Sequence, residues 1–466
     1  MALQDILYNI PEVKHPVEKK VSFNEKLKWT LIVLTTFFIL ANVRLYGVTA
    51  GFLERFEFLQ LILATDFGSI ISLGIGPIVT SSIILQLLVG SGILNLNTHT
   101  EEGKKLFQGI QKIGVLFFIL FESVVFVLMG GIQAVSGYAG VVIFQLILGG
   151  IAIMYMDEIT QKWGFGSGVS LFILAGVARS VFTGFFQFMD IQNGSVSICL
   201  ADGNPCTGRF FVIIQSLING APTELIFALL TILVTIGIFL LVVWAQSLKV
   251  EIPLSYDRLR GYNVKWPLQF IYASTIPVIL VAALAANVSL FGSLLQNWLG
   301  HPTFMGAFSQ GVPTSGLAFW IGGSGTSVNL LQAVIRGSIQ GIQVVQVISQ
   351  LLFYMIFSAL FAVFWVKTSG TDAAGQAKKI INSGLQIPGF RKDERVLESV
   401  LSRYVMPLTI MGGLAIGVLA ALTDILGAIT SGTAILLAVM IAYQMYQNIA
   451  HQHAVDMHPA LRRFMG

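Results

Sequence analysis

Few groups that could do chemistry fall inside the long apolar stretches of this chain. Glu122, in FFILFESVVF, and Arg179 are the candidates for a charged group at membrane depth. A carboxyl in hydrocarbon is costly, so Glu122 either relays protons or bonds to a neighbouring helix or an accessory subunit. Arg179 lies toward the end of its stretch and can snorkel, a structural role. All six histidines (His15, His99, His301, His451, His453, His458) lie in loops or tails. There is no HExxH, no carboxylate pair within a stretch and no phosphate-cradling loop. GFGSG at 164–168 lacks the spacing of a dinucleotide motif and reads as a turn leading into a helix. The chain is therefore expected not to be an enzyme, and neither a cofactor nor a metal site is expected. The two cysteines, Cys199 and Cys206, share one polar loop. A disulfide is open to them if that loop faces outside; two free thiols are the alternative.

The uncharged residues say more. Ile75 and Val79 stand one helical turn apart beside Pro77, and Val169 and Ile173 repeat that spacing. Such side chains could ring a constriction that water does not readily wet, or simply pack. Thr80, Ser81, Ser82 and Gln86 follow Pro77, and Asn287 follows Pro277. They could line a polar seam between two helices or bond across helices in a closed bundle.

The elements that position these residues are membrane helices. Hydrophobic residues make up 55% of 466 and charged residues 11%, with a mean hydropathy of +0.80, which excludes an ordinary soluble protein. Long apolar blocks without strand alternation favour a helical bundle over a barrel. The fold class expected is all-α, with ten spans at about 29–49, 70–92, 107–131, 138–157, 168–188, 223–246, 268–291, 341–366, 405–427 and 430–450. The second span is interrupted by Gly74, Gly76 and Pro77, which predicts a break and a helix from Pro77 onward. Pro277, in STIPVILVAALAAN, supplies a matching break in span seven. Irregular backbone is tolerated at membrane depth only against protein or water, so both breaks point to a central pathway. Two unrelated kinking prolines are the plainer alternative.

Ten spans put both termini on one side. Of the 27 Lys and Arg, all but Arg44, Arg55, Arg179, Arg209 and Arg336 then fall on that side, which makes the termini cytoplasmic. Residues 1–28 carry no short apolar core with a small-residue cleavage site, so no cleavable signal peptide is expected. Five spans on each side of residue 220 force the halves, 1–220 and 221–466, into opposite orientations, an inverted repeat. Between spans one and two, FEFLQLIL has amphipathic helical spacing and suits either a short helix dipping toward the break or a lid in the headgroups. The loops at 247–267 and 367–404 are long and basic; RLRG (258–261) and GFRK (389–392) could meet polyanions such as ribosomal RNA.

The sequence resembles the SecY family, the channel subunit of the Sec protein translocon, in its archaeal form. The resemblance rests on PEVKHPVEKKVSFNEKLKWT, LGIGPIVTSSIILQLLVGSGI, YMDEITQKWGFGSGVSLFI, VEIPL, IPVILVAALAAN, FWVKTSGTD, GFRK and TAILL. It covers nearly the whole chain and is weakest over 189–222 and 292–340. It implies a protein-conducting channel of two clamped halves in the cell membrane, with a lateral gate between spans two and seven. The implied pore ring is Ile75, Val79, Val169, Ile173, Ile279 and Leu437. The implied plug is about 56–67, with Phe56, Phe58, Leu61, Ile62 and Asp66. The gate would include Thr80, Gln86 and Asn287, and the ribosome-docking tips Arg258, Arg260, Arg391 and Lys392. The implied partners are the small SecE and Sec-beta subunits, the ribosome, signal sequences and nascent polypeptides, and membrane lipid. An inverted-repeat transporter of a small solute shares the topology but needs a specific polar binding site, which the break regions lack. A structural scaffold does not account for matched breaks.

Overall fold

A computed structural model describes residues 11–16, 21–48, 64–65, 67–94, 96, 100–192, 195–199, 206–256, 263–271, 275–309, 312–321, 337, 340–382, 385–386 and 394–457. Ten helices form the body: α1 Phe23–Asn42, α2 Gly76–Gly90, α3 Glu101–Leu128, α4 Ala139–Trp163, α5 Gly168–Phe186, α6 Pro222–Ser247, α7 Ile276–Leu299, α8 Gly341–Thr368, α9 Glu394–Leu426 and α10 Gly432–Met457. Among the described residues, α3 to α10 are long and apolar enough to cross a membrane. The charges of Glu25, Lys26 and Lys28 dilute α1, and α2 has only 15 residues. At 1.5 Å per residue α2 falls short of a hydrocarbon layer about 30 Å thick. The turns before it supply the remaining depth.

Those turns are where the predicted break lies. The amides of Ser72, Gly74 and Gly76 each bond to the carbonyl three residues back, at 2.8–3.2 Å, and Gly74 takes φ +54°, a conformation favourable for glycine. Pro77 is then the second residue of α2, where its missing N–H has no intrahelical partner to lose. Pro277 holds the same place in α7. Span seven accordingly runs 276–299 rather than the expected 268–291. The apolar residues before Pro277 belong to a strand and a bend, so the proline starts a helix instead of breaking one.

Among the described residues three small sheets, which the apolar periodicity did not reveal, lie in the segments between the body helices. β1 (Met189–Gln192) pairs with β2 (Ser195–Ile198), and β5 (Ala307–Ser309) with β6 (Val312–Ser315). β3 (Lys249–Tyr256) pairs with β4 (Asn263–Gln269) on one side and β7 (Leu385–Gln386) on the other, joining the two basic loops in one sheet. α9 begins at Glu394, ahead of the expected 405. Leu397, Leu401, Val405 and Leu408 continue its helical stripe and pack in a separate cluster with Val366, Ala377 and Ile380. Cys199 and Cys206 are joined in a disulfide with Cα atoms 5.1 Å apart.

α7 sits at the centre, with 72% of its apolar stretch buried against 22–44% in α3–α6 and α8–α10. α2 packs against α3, α7 and α8, and α5 packs against α10. Close approach is made by small residues. A Cβ on Gly413 or Gly417 of α9 would meet the backbone of α8 at Ala359 (2.8 Å) and Met355 (2.7 Å), the packing that drives helix association where lipid competes for apolar surface. On the face where α3 starts and α4 ends, Lys112 and Lys162 both pair with Glu158 at 3.0 and 2.9 Å. They also bind the carbonyls of Pro11 and Val13 at 2.7 Å, strapping residues 11–16 to that face.

Candidate functional site

The six expected ring residues lie in one continuous apolar core. Ile75, Val79, Ile173, Ile279 and Leu437 are buried, and half-buried Val169 packs against them. Each comes from the start of its helix: Ile75 caps α2, Val79 and Ile279 are the fourth residues of α2 and α7, and Ile173 and Leu437 the sixth of α5 and α10. The helix-start devices, two prolines among them, thereby set where the aliphatic side chains stand. A cavity of about 140 Å³ opens between the starts of α5 and α7 and the middle of α10, lined by none of the six. Its lining is mainly apolar, with Leu171, Ile276 and Ile441, and carries the polar side chains of Ser170, Thr275 and Gln444.

Between α2 and α7 runs a chain of hydrogen bonds. Asn287 Nδ2 donates to Thr80 Oγ1 at 3.1 Å, and the Thr80 hydroxyl donates to Glu122 Oε1 of α3 at 3.4 Å. Thr80 and Asn287 are half-buried and Glu122 is buried. Of the two roles open to Glu122, bonding to a neighbouring helix is the one the geometry displays. The hydroxyls next to Thr80 turn elsewhere. Ser81 donates to the Gln111 carbonyl at 3.0 Å, and Gln111 Nε2 donates to Ser82 at 2.8 Å, so these serines bind α2 to α3.

Gln86 parts from Thr80. Thr80, Ile84 and Leu87 run along one face of α2, where Ile84 and Leu87 are exposed, whereas Gln86 lies seven residues from Val79 on the buried face. Among the described residues its Oε1 has no hydrogen-bond partner. Arg179 is exposed on α5.

Of the expected plug, Phe56, Phe58, Leu61, Ile62 and Asp66 lie outside the described residues, as do the docking residues Arg258, Arg260, Arg391 and Lys392. The residues at the plug's C-terminal end are described. The Thr65 hydroxyl lies 2.9 and 2.7 Å from the carbonyls of Ile71 and Ser72, and Phe67 packs on Phe126 of α3. Ala64 and Thr65 are buried, so this end of the segment is held at the break in front of α2. Sheet β4–β3–β7 brings together the loops that carry the two basic tips.

Two buried carboxylates were missed by the sequence reading. Asp157 of α4 and Asp424 of α9 each receive an amide from the start of the next helix, Val169 at 3.0 Å and Thr433 at 2.6 Å. Neither stands near a second carboxylate that would have marked it in the sequence, apart from Glu158, which faces the lysines. The available signal was Ser-Gly at 167–168 and 431–432, a serine cap followed by a residue without a side chain.

A helical bundle with an aliphatic interior and a hydrogen-bonded seam beside a broken span belongs to the class of polytopic membrane channels. The family model of SecY matches residues 69–446. The chain is 41% identical to the protein translocase subunit SecY of Methanothermobacter thermautotrophicus, over 98% of this chain and 97% of that protein. A solved structure described as that of a protein-conducting channel superposes with a TM-score of 0.81 at 38% identity, covering 98% of this chain and 99% of that one. A second, of a SecY whose plug domain is described as stabilising the closed state and maintaining a membrane seal, gives 0.81 at 37% identity and the same coverage. Sec61 in a canine ribosome-channel complex gives 0.77 at 37% identity, again over 98% and 99%. The chain belongs to the SecY family.

Proposed function

We propose that this chain is a protein-conducting channel that passes unfolded secretory polypeptides across the membrane and releases transmembrane segments into lipid between α2 and α7. The observation that carries this reading is the seam: two helices, each started by a proline at its second position, meet over an aliphatic interior and are bridged by Asn287 and Thr80 at 3.1 Å. A neutral bond of this kind contributes about 1 kcal/mol, weak enough for an entering apolar segment to displace. An interior of Ile75, Val79, Val169, Ile173, Ile279 and Leu437 has no ligands to replace an ion's hydration shell, yet accepts any side chain. Residues 56–67 serve as the plug and Thr80, Gln86 and Asn287 as gate residues. Apolar segments then leave for lipid with their own transfer free energy as the drive.

On this reading the two halves, 1–220 and 221–466, are an inverted repeat in the cell membrane with both termini in the cytoplasm. SecE and Sec-beta are its small membrane partners, and a ribosome docks through Arg258, Arg260, Arg391 and Lys392. The family relationship and the similarity to a ribosome-bound Sec61 support that assignment.

The test is crosslinking from a stalled ribosome–nascent chain to single cysteines replacing Ile75, Ile279 and Leu437, with Cys199 and Cys206 left in their disulfide. Signal-dependent crosslinks at all three positions are expected. Their absence, with surface-loop controls intact, would refute a polypeptide path through the ring.

A further inference from the structure

Asp157 and Asp424 sit on opposite sides of residue 220 and stand in the same relation to the helix that follows each. Asp157 accepts at Oδ1 from the Val169 amide (3.0 Å) and at Oδ2 from Gln161 Nε2 (2.8 Å). Asp424 accepts at Oδ1 from the Thr433 amide (2.6 Å) and the Ser431 hydroxyl (3.1 Å), and at Oδ2 from the Thr433 hydroxyl and from Gln350 Nε2 (3.4 Å). Val169 and Thr433 are the second residues of α5 and α10. In both helices the first residue is glycine, and the residue before it is a serine that receives the amide three positions on, Ser170 or Ala434, at 3.4 Å. A Cβ on Gly168 would lie 2.6 Å from Asp157 Cα, and one on Gly432 would lie 2.6 Å from the Asp424 amide nitrogen and run into the Thr423 carbonyl. Each helix therefore starts pressed against the backbone of the one before it.

Serine already caps both helices. A second acceptor, reaching in from another helix, is not needed to form the first turn. What it adds is a fixed height between two helices, made by hydrogen bonds in a buried site where breaking them leaves amides unsatisfied. Counting from Gly168 and Gly432, the sixth residues are Ile173 and Leu437, the ring positions of these two helices. A slip of one residue moves a helix by about 1.5 Å and turns it by about 100°, enough to swing either side chain out of the interior.

We propose that Asp157 and Asp424 are paired positioning residues that set the axial height of α5 and α10, and with it the level of Ile173 and Leu437 in the ring. The inference rests on the ring reading for its functional consequence, but the height itself is measurable without it.

The experiment scans single cysteines at 171–177 in the full chain in lipid vesicles, labelled by a membrane-impermeant thiol reagent. The labelling pattern is compared among the parent, Asp157→Ala and Asp157→Asn, and ion leak is recorded in parallel. Asp157→Ala is expected to displace the pattern by at least one residue and to raise leak. Asp157→Asn keeps an oxygen for the Val169 amide, and Gln161 can turn its own oxygen to the new amide, so this variant restores the parent pattern. An undisplaced pattern in Asp157→Ala would overturn the proposal, and so would an Asn variant displaced as far as the Ala variant. If Asp157→Ala does not accumulate, Gly168→Ala pushes the same helix start off Asp157 and must displace the pattern; an undisplaced pattern there overturns the proposal equally. A displaced pattern with unchanged leak upholds the positioning role and refutes the ring instead. The same series at Asp424, read over 435–441, must behave alike.

Discussion

The seam between α2 and α7 and the side formed by α5 and α10 differ in what holds them. Across the seam the described link is a neutral amide-to-hydroxyl bond, Asn287 to Thr80, while Ser81 and Ser82 of α2 face α3. On the other side two buried carboxylates take the opening amides of α5 and α10, and the Ile429 amide before α10 is held by the Thr235 hydroxyl of α6 at 3.1 Å. The contrast teaches where the bundle parts and where it stays: the seam is closed by a bond a guest segment can replace, whereas α5 and α10 pack on each other and each is tied to the helix before it by bonds that a guest entering between α2 and α7 does not reach.

The largest effect is expected on the pinned side. Gly432→Val drives a branched side chain into the Thr423 carbonyl at the start of α10 and should cost about 3 kcal/mol. It is read as loss of monodisperse protein after heating in detergent; parent-like stability would show that this side is looser than described. Thr80→Val comes next. It removes the acceptor of Asn287 and the donor to Glu122, which should cost the closed seam about 1 kcal/mol and raise idle ion leak about fivefold. Leak equal to the parent would mean that the bond does not hold the seam. The smallest effect belongs outside both regions. Glu158→Gln removes the ion pairs to Lys112 and Lys162 at a partly exposed site and should cost about 0.5 kcal/mol or less, fading further at high salt. A loss above about 2 kcal/mol would put the strapped tail on a level with the buried carboxylates.

Much of this contrast could be read from the chain itself, and the reasons it stopped short are physical. Pro77 and Pro277 signal helix starts through their own covalent geometry, and α3 to α10 follow from apolar length. The limits of spans are less visible, because the apolar residues near Leu268 suit a strand as well as a helix. The stripe Leu397–Leu401–Val405 leaves the apolar block but continues the helix, and its spacing was a usable sign. That Gln86 and Thr80 stand on different faces of α2 is already legible by counting residues around a helix. Asp157 and Asp424 were hidden for a different reason: the partners they have in common are backbone amides, marked in the sequence only by the Ser-Gly pairs at 167–168 and 431–432. The disulfide between Cys199 and Cys206 depended on which residues the loop brings together, and composition left both outcomes open.

Locking each side in turn separates the part that opens from the part that stays. Thr80→Cys with Asn287→Cys places a disulfide across the seam. Gly184→Cys with Ile429→Cys places one between α5 and the turn before α10, where a Cβ on residue 184 would lie 2.7 Å from the Ile429 side chain. Transport of a signal-bearing polypeptide is then measured before and after reduction. The predicted result is that the seam lock blocks transport until reduced while the 184–429 lock leaves it at the parent level. Transport through an oxidised seam, or an equal block by both locks, would contradict the account.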